Sequence, residues 1–137
     1  MTRRFETKFG SLEHYEKVAV GQNRQYVLEA VRAEGTSGWR TASHDEFALV
    51  MDGEVEVRLR QLSDSQQAPA DVEGSIAVEG EPEGASMGWV KAGRGHMTLL
   101  PAGAAYQFHA ARPSVILMQT IGGRDTVYKW AEIIQTS

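Results

Sequence analysis

Two strand-like runs meet at Asp52-Gly53, and this joint constrains the fold more than any other stretch of the chain. Asp-Gly between apolar runs predicts a hairpin, because both central residues of a tight hairpin turn must tolerate positive φ. After the joint, apolar and charged residues alternate from Glu54 to Arg60, which predicts a strand with one face in water. Before it, both faces are mainly apolar, as is typical of a strand buried on both sides. One face carries Phe47, Leu49 and Met51, and the other, which we expect to point inward, carries His44, Glu46, Ala48 and Val50.

The composition is that of a chain able to bury a core by itself. With 137 residues, we expect one domain spanning 1–137. The absence of cysteine excludes disulfides, thiol catalysis and zinc-thiolate sites, and it suits a reducing cytoplasm. The net charge of -4 comes without a long basic cluster, so nucleic acid is a poor partner. Arg3-Arg4 is not followed by an apolar run, and no later segment has the length and apolarity of a membrane span, so we expect neither a signal peptide nor a membrane partner.

The flanking segments predict further strands and two long irregular stretches. Residues 1–24 mix charges with single hydrophobes and predict an N-terminal arm, with a strand over Tyr15 to Val20. Gln25 to Ala33 fits either a helical stripe or an alternating strand, and we favour the strand because Gly35 to Gly38 then forms a turn. Residues 61–88 are rich in Ser, Gln, Pro, Glu and Gly and predict a long insertion loop, for which a functional role and plain solvation carry equal weight.

The last third of the chain predicts β-structure followed by one helix. Arg112-Pro113 is expected to interrupt the strand that begins at Tyr106, and Asp125 can cap a terminal helix. Other strands are expected over Trp89 to Ala92, His96 to Leu100 and Val115 to Ile121, and the helix would carry an apolar stripe of Val127, Trp130, Ala131 and Ile134. Short strands with Gly-rich turns predict an all-β fold, an antiparallel β-barrel or jelly roll, with a short C-terminal helix.

Two spacings carry a resemblance to a known superfamily. Glu46 is separated from Gly53 by six residues, and Gly95 is separated from Pro101-Ala102-Gly103 by five. These are the back half of the first cupin motif and the front half of the second, in the right order, so residues 25–121 resemble a cupin. The resemblance implies a jelly-roll β-barrel, and it leaves the function open because one fold hosts many chemistries.

The residues at the cupin metal-ligand positions do not match those of metal-binding cupins. Those proteins place two His residues, spaced by one, shortly before the Glu and a third His two residues beyond Pro-x-Gly. Here the first pair would be Thr41 and Ser43, Arg40 and Ala42, or Trp39 and Thr41, and the third position holds Tyr106. Strand alternation places His109 on the face opposite Tyr106. The fallback ligand set is therefore His44, Glu46, His109 and Tyr106, and we favour a buried pair of His44 and Glu46, hydrogen-bonded to each other and to Tyr106 or Arg40.

A closer resemblance is carried by Tyr26 to Ser37, His44 to Val55, Arg94 to His96, Leu99 to Tyr106 and the tail Val115 to Glu132. These runs resemble the small subunit of two-component, iron-dependent hydroquinone 1,2-dioxygenases, often labelled hydroxyquinol 1,2-dioxygenase. The resemblance implies a subunit without its own metal, cofactor or catalytic residues. It would pair with a larger cupin subunit that carries Fe(II) and cleaves the ring of hydroquinone. It also implies that this chain is short at its N-terminus for such a subunit.

Three hypotheses follow. The first is a metal-free subunit of a hetero-oligomer, or of a homodimer, whose interface candidates are Phe47, Leu49, Met51 and Trp89. The second is a self-sufficient cupin metalloenzyme, a dioxygenase or lyase acting on a small aromatic or acid, which uses His44 and Glu46 with His109 or Tyr106. The third is a small-molecule-binding cupin without catalysis, with a pocket lined by Trp39, Tyr106 and Phe108.

Overall fold

The computed structural model describes residues 14–22, 27–120 and 126–128, and it confirms the all-β prediction. No described segment is a helix with the length and apolarity needed to cross a membrane. A single 3₁₀ turn lies at Asp64–Gln66 within the described ranges. The strands are β1 (Lys17–Gln22), β2 (Val27–Thr36), β3 (Arg40–Ala42), β4 (Glu46–Asp52), β5 (Glu54–Gln61), β6 (Ser75–Ala77), β7 (Ser86–Gly93), β8 (Met97–Leu100), β9 (Ala104–Thr120) and β10 (Thr126–Tyr128).

Strand β9 is the central element of one curled sheet. Along one edge it pairs antiparallel with β5 near its start and with β4 near its end. Along the other edge it pairs with β3 and then with β2. Strands β4 and β5 therefore behave as one bent strand that follows β9 over its length. Strands β7 and β8 repeat this arrangement on the outer side, where β7 pairs with β5 and β8 pairs with β4.

The hairpin predicted at Asp52-Gly53 is wrong. Within the described residues no backbone ladder joins β4 to β5, and Gly53 instead turns the chain through a corner with a φ of +83°. Ser114 lies opposite this corner, where its Oγ accepts a hydrogen bond from the Glu54 amide at 3.2 Å. The bent strand and β9 thus change direction at the same place.

The interruption predicted at Arg112-Pro113 is also wrong. Strand β9 continues through these residues, which are exposed. Its pairing with β2 passes from Ala110 opposite Gly35 directly to Ser114 opposite Ala33, so residues 111–113 form a bulge. Proline is tolerated there because the bulge needs no ladder hydrogen bond from its nitrogen.

The N-terminal strands complete the described sheet. The strand preferred over a helix at Gln25 to Ala33 is confirmed for the described residues of that range, which belong to β2 and pair with β1. Strand β1 in turn pairs in parallel with β10. Because β10 occupies Thr126–Tyr128, the helix predicted from Asp125 is absent over these three residues. The remaining stripe positions Trp130, Ala131 and Ile134 lie outside the described residues.

The core lies on the concave side of the sheet, where the predicted alternation of β4 and β5 is confirmed. Ala48 and Val50 of β4 and Val55 and Val57 of β5 are buried. They join a cluster to which β9 contributes Tyr106, Phe108, Ala110, Ile116 and Met118.

The long insertion is held in place by side-chain to backbone hydrogen bonds. The Gln66 Nε2 donates to the Glu81 carbonyl at 2.9 Å, while its Oε1 accepts from the Glu83 amide at 2.9 Å. Gln67 Nε2 donates to the Gly103 carbonyl at 3.1 Å. Strand β6 lies within the insertion, which therefore has structure of its own and docks beside the start of β9.

Candidate functional site

Polar side chains from six strands meet inside the curled sheet. Glu46 is the first residue of β4 and is fully buried, because alternation points it to the same side as Ala48 and Val50. The Thr120 hydroxyl donates a hydrogen bond to its Oε2. Its Oε1 is buried and has no hydrogen-bond partner among the described residues. Glu46 is therefore a carboxylate held in the interior by few donors.

Tyr106 is the second interior group. Burial raises the pKa of its phenol well above the usual value, and the nearby negative charge of Glu46 raises this pKa further. Ser75 and Arg40 lie close enough to oppose the shift. The phenol therefore stays protonated and can act as a hydrogen-bond donor in the interior.

Lys17 and Glu29 form a buried ion pair beside Tyr106. The Lys17 Nζ lies 3.7 Å from Glu29 Oε1, and both side chains are almost completely buried. The same ammonium donates to the Tyr106 hydroxyl at 3.3 Å and to the Met118 sulfur at 3.3 Å. It also lies 5.8 Å from the centre of the Tyr106 ring. Three residues from β2 and β9 thus surround the positive charge that β1 contributes.

Arg40 brings a second positive charge to the same region. Its register places it opposite Tyr106 on β9. The guanidinium Nε donates to Ser75 Oγ at 2.8 Å and an Nη donates to the Ser75 carbonyl at 2.9 Å. Ser75 lies on β6, so this contact also fixes the insertion against the interior cluster.

The structure brings together only two members of the fallback ligand set, Glu46 and Tyr106. His44 lies in the bend before β4, where its Nδ1 is 3.1 Å from the Asp45 carbonyl and its Nε2 has no hydrogen-bond partner within residues 14–22, 27–120 and 126–128. The predicted pair of His44 and Glu46 is therefore not formed. His109 lies on the opposite face of β9 from Tyr106, as predicted, and its Nδ1 is hydrogen-bonded to Thr36 Oγ1 at 2.7 Å.

The donor set inside the sheet does not fit a transition metal. Such a site needs three or more converging ligands, usually imidazole or carboxylate. In the part of the chain that the structure describes, no group of three or more His, Cys, Asp or Glu side chains could hold a metal ion. Glu46 has a protonated phenol and a hydroxyl as neighbours, and an ammonium lies beside that phenol. Sequence reasoning missed Lys17, Glu29, Ser75 and Thr120, although a charge within the apolar run of β2 is a signal for Glu29.

Two of the three aromatic residues of the third hypothesis pack against each other in the core. Tyr106 and Phe108 are buried, with ring centroids 5.4 Å apart, and Tyr15 stacks on Phe108 at 6.3 Å. Trp39 is half-buried. A surface cleft of about 550 Å³ lies instead along the insertion and is lined by Gln66, Ile76, Glu79, Glu81 and Glu83 among others.

The interface candidates fall into two separate places. Phe47, Leu49 and Met51 lie on the convex side of β4, whereas Trp89 lies on β7, beside β5, and is 62% exposed. Neighbouring strands extend the first group, because Leu99 and Met97 of β8 pair with Phe47 and Leu49. We name the resulting surface the apolar face, and it consists of Leu28, Phe47, Leu49, Met51, Met97, Leu99 and Leu117.

The chain is similar to solved structures of one kind of enzyme. It is 50% identical to a chain of hydroquinone 1,2-dioxygenase from Sphingomonas sp. TTNP3 with 4-hydroxybenzoate bound, covering 91% of this chain and 76% of that one with a TM-score of 0.87. It is 51% identical to a chain of hydroquinone 1,2-dioxygenase PnpCD in complex with Cd²⁺ and 4-hydroxybenzonitrile, covering 92% and 76% with a TM-score of 0.85. No protein-family model and no curated protein matches the chain.

More distant structures agree on the fold. A cupin-2 domain containing protein from Shewanella frigidimarina is 18% identical over 86% of this chain and 92% of its own, with a TM-score of 0.58, so the cupin fold is confirmed. Other chains of the Sphingomonas enzyme and of PnpCD match at 14% and 10% identity over only 29% and 26% of their length, with TM-scores of 0.61 and 0.58. Structures of these enzymes thus contain a second, longer chain that includes a segment of the same fold.

Proposed function

This chain belongs to the hydroquinone 1,2-dioxygenase family, and from that premise we propose that it is the smaller, metal-free subunit of an iron-dependent enzyme that cleaves the ring of hydroquinone-type substrates. The observation that carries the proposal is its identity of about one half to the shorter chains of two such enzymes over nine tenths of its length. Its partner would be the longer, metal-bearing cupin subunit, and the absence of cysteine suits work in the cytoplasm.

The interior of the barrel supports a non-catalytic role. A ring-cleaving iron site needs a ligand set with open coordination positions. Here Lys17 donates to Tyr106, Thr120 donates to Glu46, and the Tyr106 ring packs against Phe108. Fe(II) would therefore be held by the partner, where it would activate dioxygen and substrate, while this chain would contribute a rigid surface.

The apolar face supports a role in assembly. Four of its side chains are between 38% and 62% exposed, which gives a patch on the order of several hundred Å², a size that marks interaction sites on soluble proteins. A stable interface buries roughly 800 Å² per partner, so this face would form the apolar centre of the contact and polar residues its rim. We propose that the longer subunit covers this face, with Phe47, Leu49 and Met51 at the centre.

Co-expression with the larger subunit of a hydroquinone 1,2-dioxygenase tests the assignment. We expect a complex that consumes dioxygen in the presence of hydroquinone, with iron in the larger subunit, whereas the chain alone is inert. Stoichiometric iron with turnover in the isolated chain would overturn the proposal in favour of a self-sufficient enzyme. A stable complex without any turnover would overturn the assignment to a dioxygenase.

Two matched variants test the location of the contact. Leu99 on the apolar face is 45% exposed and Met87 on β7, on the strand that carries Trp89, is 44% exposed. Leu99→Glu should prevent association with the larger subunit, because it places a charge in the apolar centre, and Met87→Glu should leave it intact. Loss of association in Met87→Glu alone would move the interface to the Trp89 side of the sheet. Size-exclusion chromatography of the chain alone distinguishes a homodimer from a monomer.

A further inference from the structure

We propose that the outer edge of strand β7 pairs antiparallel with the same strand of a second copy of this chain, with Val90 on the two-fold axis. In the described part of the chain, β7 forms a ladder with β5 alone. An edge strand presents a row of unpaired N–H and C=O groups to which another strand can be added. The inference stands on this edge and does not depend on whether the chain joins a dioxygenase.

The free part of the edge is bounded by two glycines. The Gly88 amide donates to Ser86 Oγ at 3.1 Å, and the Gly93 amide donates to His96 Nδ1 at 2.9 Å. The strand also bulges at Met87, because the ladder passes from Leu59 opposite Gly88 to Arg60 opposite Ser86. The regular stretch that can accept a new strand therefore runs from Gly88 to Ala92.

Side chains on both faces of this stretch are exposed. Ala92 belongs to the core cluster and Val90 pairs with the buried Val57, so Val90 points to the concave side. Val90 is nevertheless 44% exposed, whereas Val57 is 1% exposed. Trp89, on the convex side, is 62% exposed. The core thus ends at an uncovered apolar rim, and an added strand would bring a side chain against Val90.

The order of the strands favours a second molecule as the source of the added strand. Strands β10 and β1 lie at the end of the described sheet opposite to β7. The parts of the chain outside the described ranges all adjoin β1, β2 or β10 in the sequence. The strand that continues the sheet beyond β7 is therefore assigned to another molecule.

Strand β7 is complementary to itself in one register. About a two-fold axis, the residue on the axis lies opposite its own counterpart. With Val90 on the axis, two valines meet on the core side, and Trp89 lies opposite Lys91 of the second copy, a favourable pairing of an ammonium with an aromatic ring. An axis at Lys91 would place like charges opposite each other, and an axis at Trp89 would place Val90 opposite Gly88, beside the bulge.

Sedimentation equilibrium of the chain alone measures the association. A contact of one short strand per copy is smaller than the roughly 800 Å² per partner of a standard interface, so we expect a weak dimer that forms as the concentration rises. Val90→Lys should raise its dissociation constant at least about tenfold, because two like charges then lie opposite each other. Trp89→Ala should raise it roughly fivefold or more. The control Met51→Lys, on β4 and 47% exposed in the original chain, should leave it unchanged.

Single cysteines test the register, because the chain has no cysteine of its own. Opposite residues of an antiparallel pair have Cα atoms about 4.5–5.5 Å apart, within the range of a disulfide, and diagonal neighbours are roughly 7–8 Å apart. Val90→Cys should therefore form a disulfide-linked dimer on mild oxidation. Lys91→Cys, which is diagonal to its counterpart, and Met51→Cys, on another strand, should stay largely uncrosslinked.

The outcomes separate this contact from its alternatives. A monomer at all concentrations, with no crosslinking of Val90→Cys, would overturn the proposal, and a thiol in that monomer that resists a maleimide would assign the edge to another segment of the same chain. Preferential crosslinking of Lys91→Cys would refute the register. A dimer lost in Met51→Lys but kept in Val90→Lys would place the contact elsewhere. If Val90→Lys does not fold, Trp89→Ala and the crosslinking decide.

Co-expression with the larger subunit provides a separate test of the occupant. Crosslinking of Val90→Cys between two copies of this chain, in the complex or alone, supports the pairing. A cysteine of the larger subunit that captures Val90→Cys while no crosslink joins two copies would give the edge to that subunit and overturn the proposal. Neither result depends on turnover of hydroquinone, so failure here is distinguishable from failure of the proposed function.

Discussion

Replacing Gly53 by alanine should destabilise the chain much more than the same change at Gly95. Both glycines lie at corners of the bent strands, between β4 and β5 and between β7 and β8, with φ of +83° and +86°. An alanine there adopts the left-handed region at a cost of about 1–2 kcal/mol in either place. At Gly95 a new Cβ meets no atom within 4 Å, whereas at Gly53 it overlaps Ser114 Oγ and comes within 2.7 Å of Ser114 Cβ and 3.1 Å of its Cα. Overpacking of this kind adds roughly 1–3 kcal/mol.

The measurement is urea unfolding of the two variants and the original chain. We expect a loss of about 1–2 kcal/mol for Gly95→Ala and roughly 2–5 kcal/mol for Gly53→Ala, with unchanged m-values. Adding Ser114→Gly to Gly53→Ala removes the two side-chain atoms and should recover part of the extra loss. Equal losses at the two corners would refute the reasoning, because they would show that the shared bend of β4, β5 and β9 leaves room for a methyl group.

Three further perturbations test other parts of the structure. Burial raises the pKa of Tyr15 from 10.0 to about 12, so the contribution of its protonated phenol to stability is full below pH 10 and is lost as the pH rises from 10 to 12. Tyr15→Phe should therefore flatten the fall of the urea midpoint over that interval. An unchanged fall would contradict the assignment to Tyr15. Ile116 is fully buried, so Ile116→Ala should cost about 2–5 kcal/mol in urea unfolding, and a cost near zero would mean that the core refills the space. Thr120→Val removes the hydroxyl that donates to Glu46 and should cost roughly 1–3 kcal/mol, while a variant that also carries Glu46→Gln should lose less than the sum of the two single changes.

Local sequence patterns predict the faces of the strands but not their partners. Period-two alternation places Glu46, Ala48 and Val50 on the buried side correctly, because it depends only on the pleat of one strand. Asp52-Gly53 is chemically suited to any turn that needs positive φ, and a corner within a bent strand needs it as much as a hairpin does. The choice between them is made by β9, about fifty residues further along the chain, which pairs with both halves.

The candidate site is predicted from sequence only in part. The cupin spacing identifies Glu46, and its Pro-x-Gly half leads to Tyr106, so both interior groups can be found without the structure. Lys17 and Glu29 are found only through the pairing of β1 with β2 and of β2 with β9, because single charges in apolar runs do not reveal their partners. Extending the alternation of β4 to His44 predicts that this side chain points inward beside Glu46. His44 lies before β4 begins, so the alternation of that strand does not extend to it.

The pairing of β9 with four other strands also bears on how the protein is made. Strands β2, β3, β4 and β5 are synthesised first, yet each has a ladder with residues 104–120. While a nascent chain emerges from the ribosome, these segments have unpaired strand edges until residues 104–120 have appeared. Contacts so distant along the chain slow folding and lengthen the exposure of unpaired strands to aggregation. Production of this protein should therefore be sensitive to growth temperature and to the supply of chaperones.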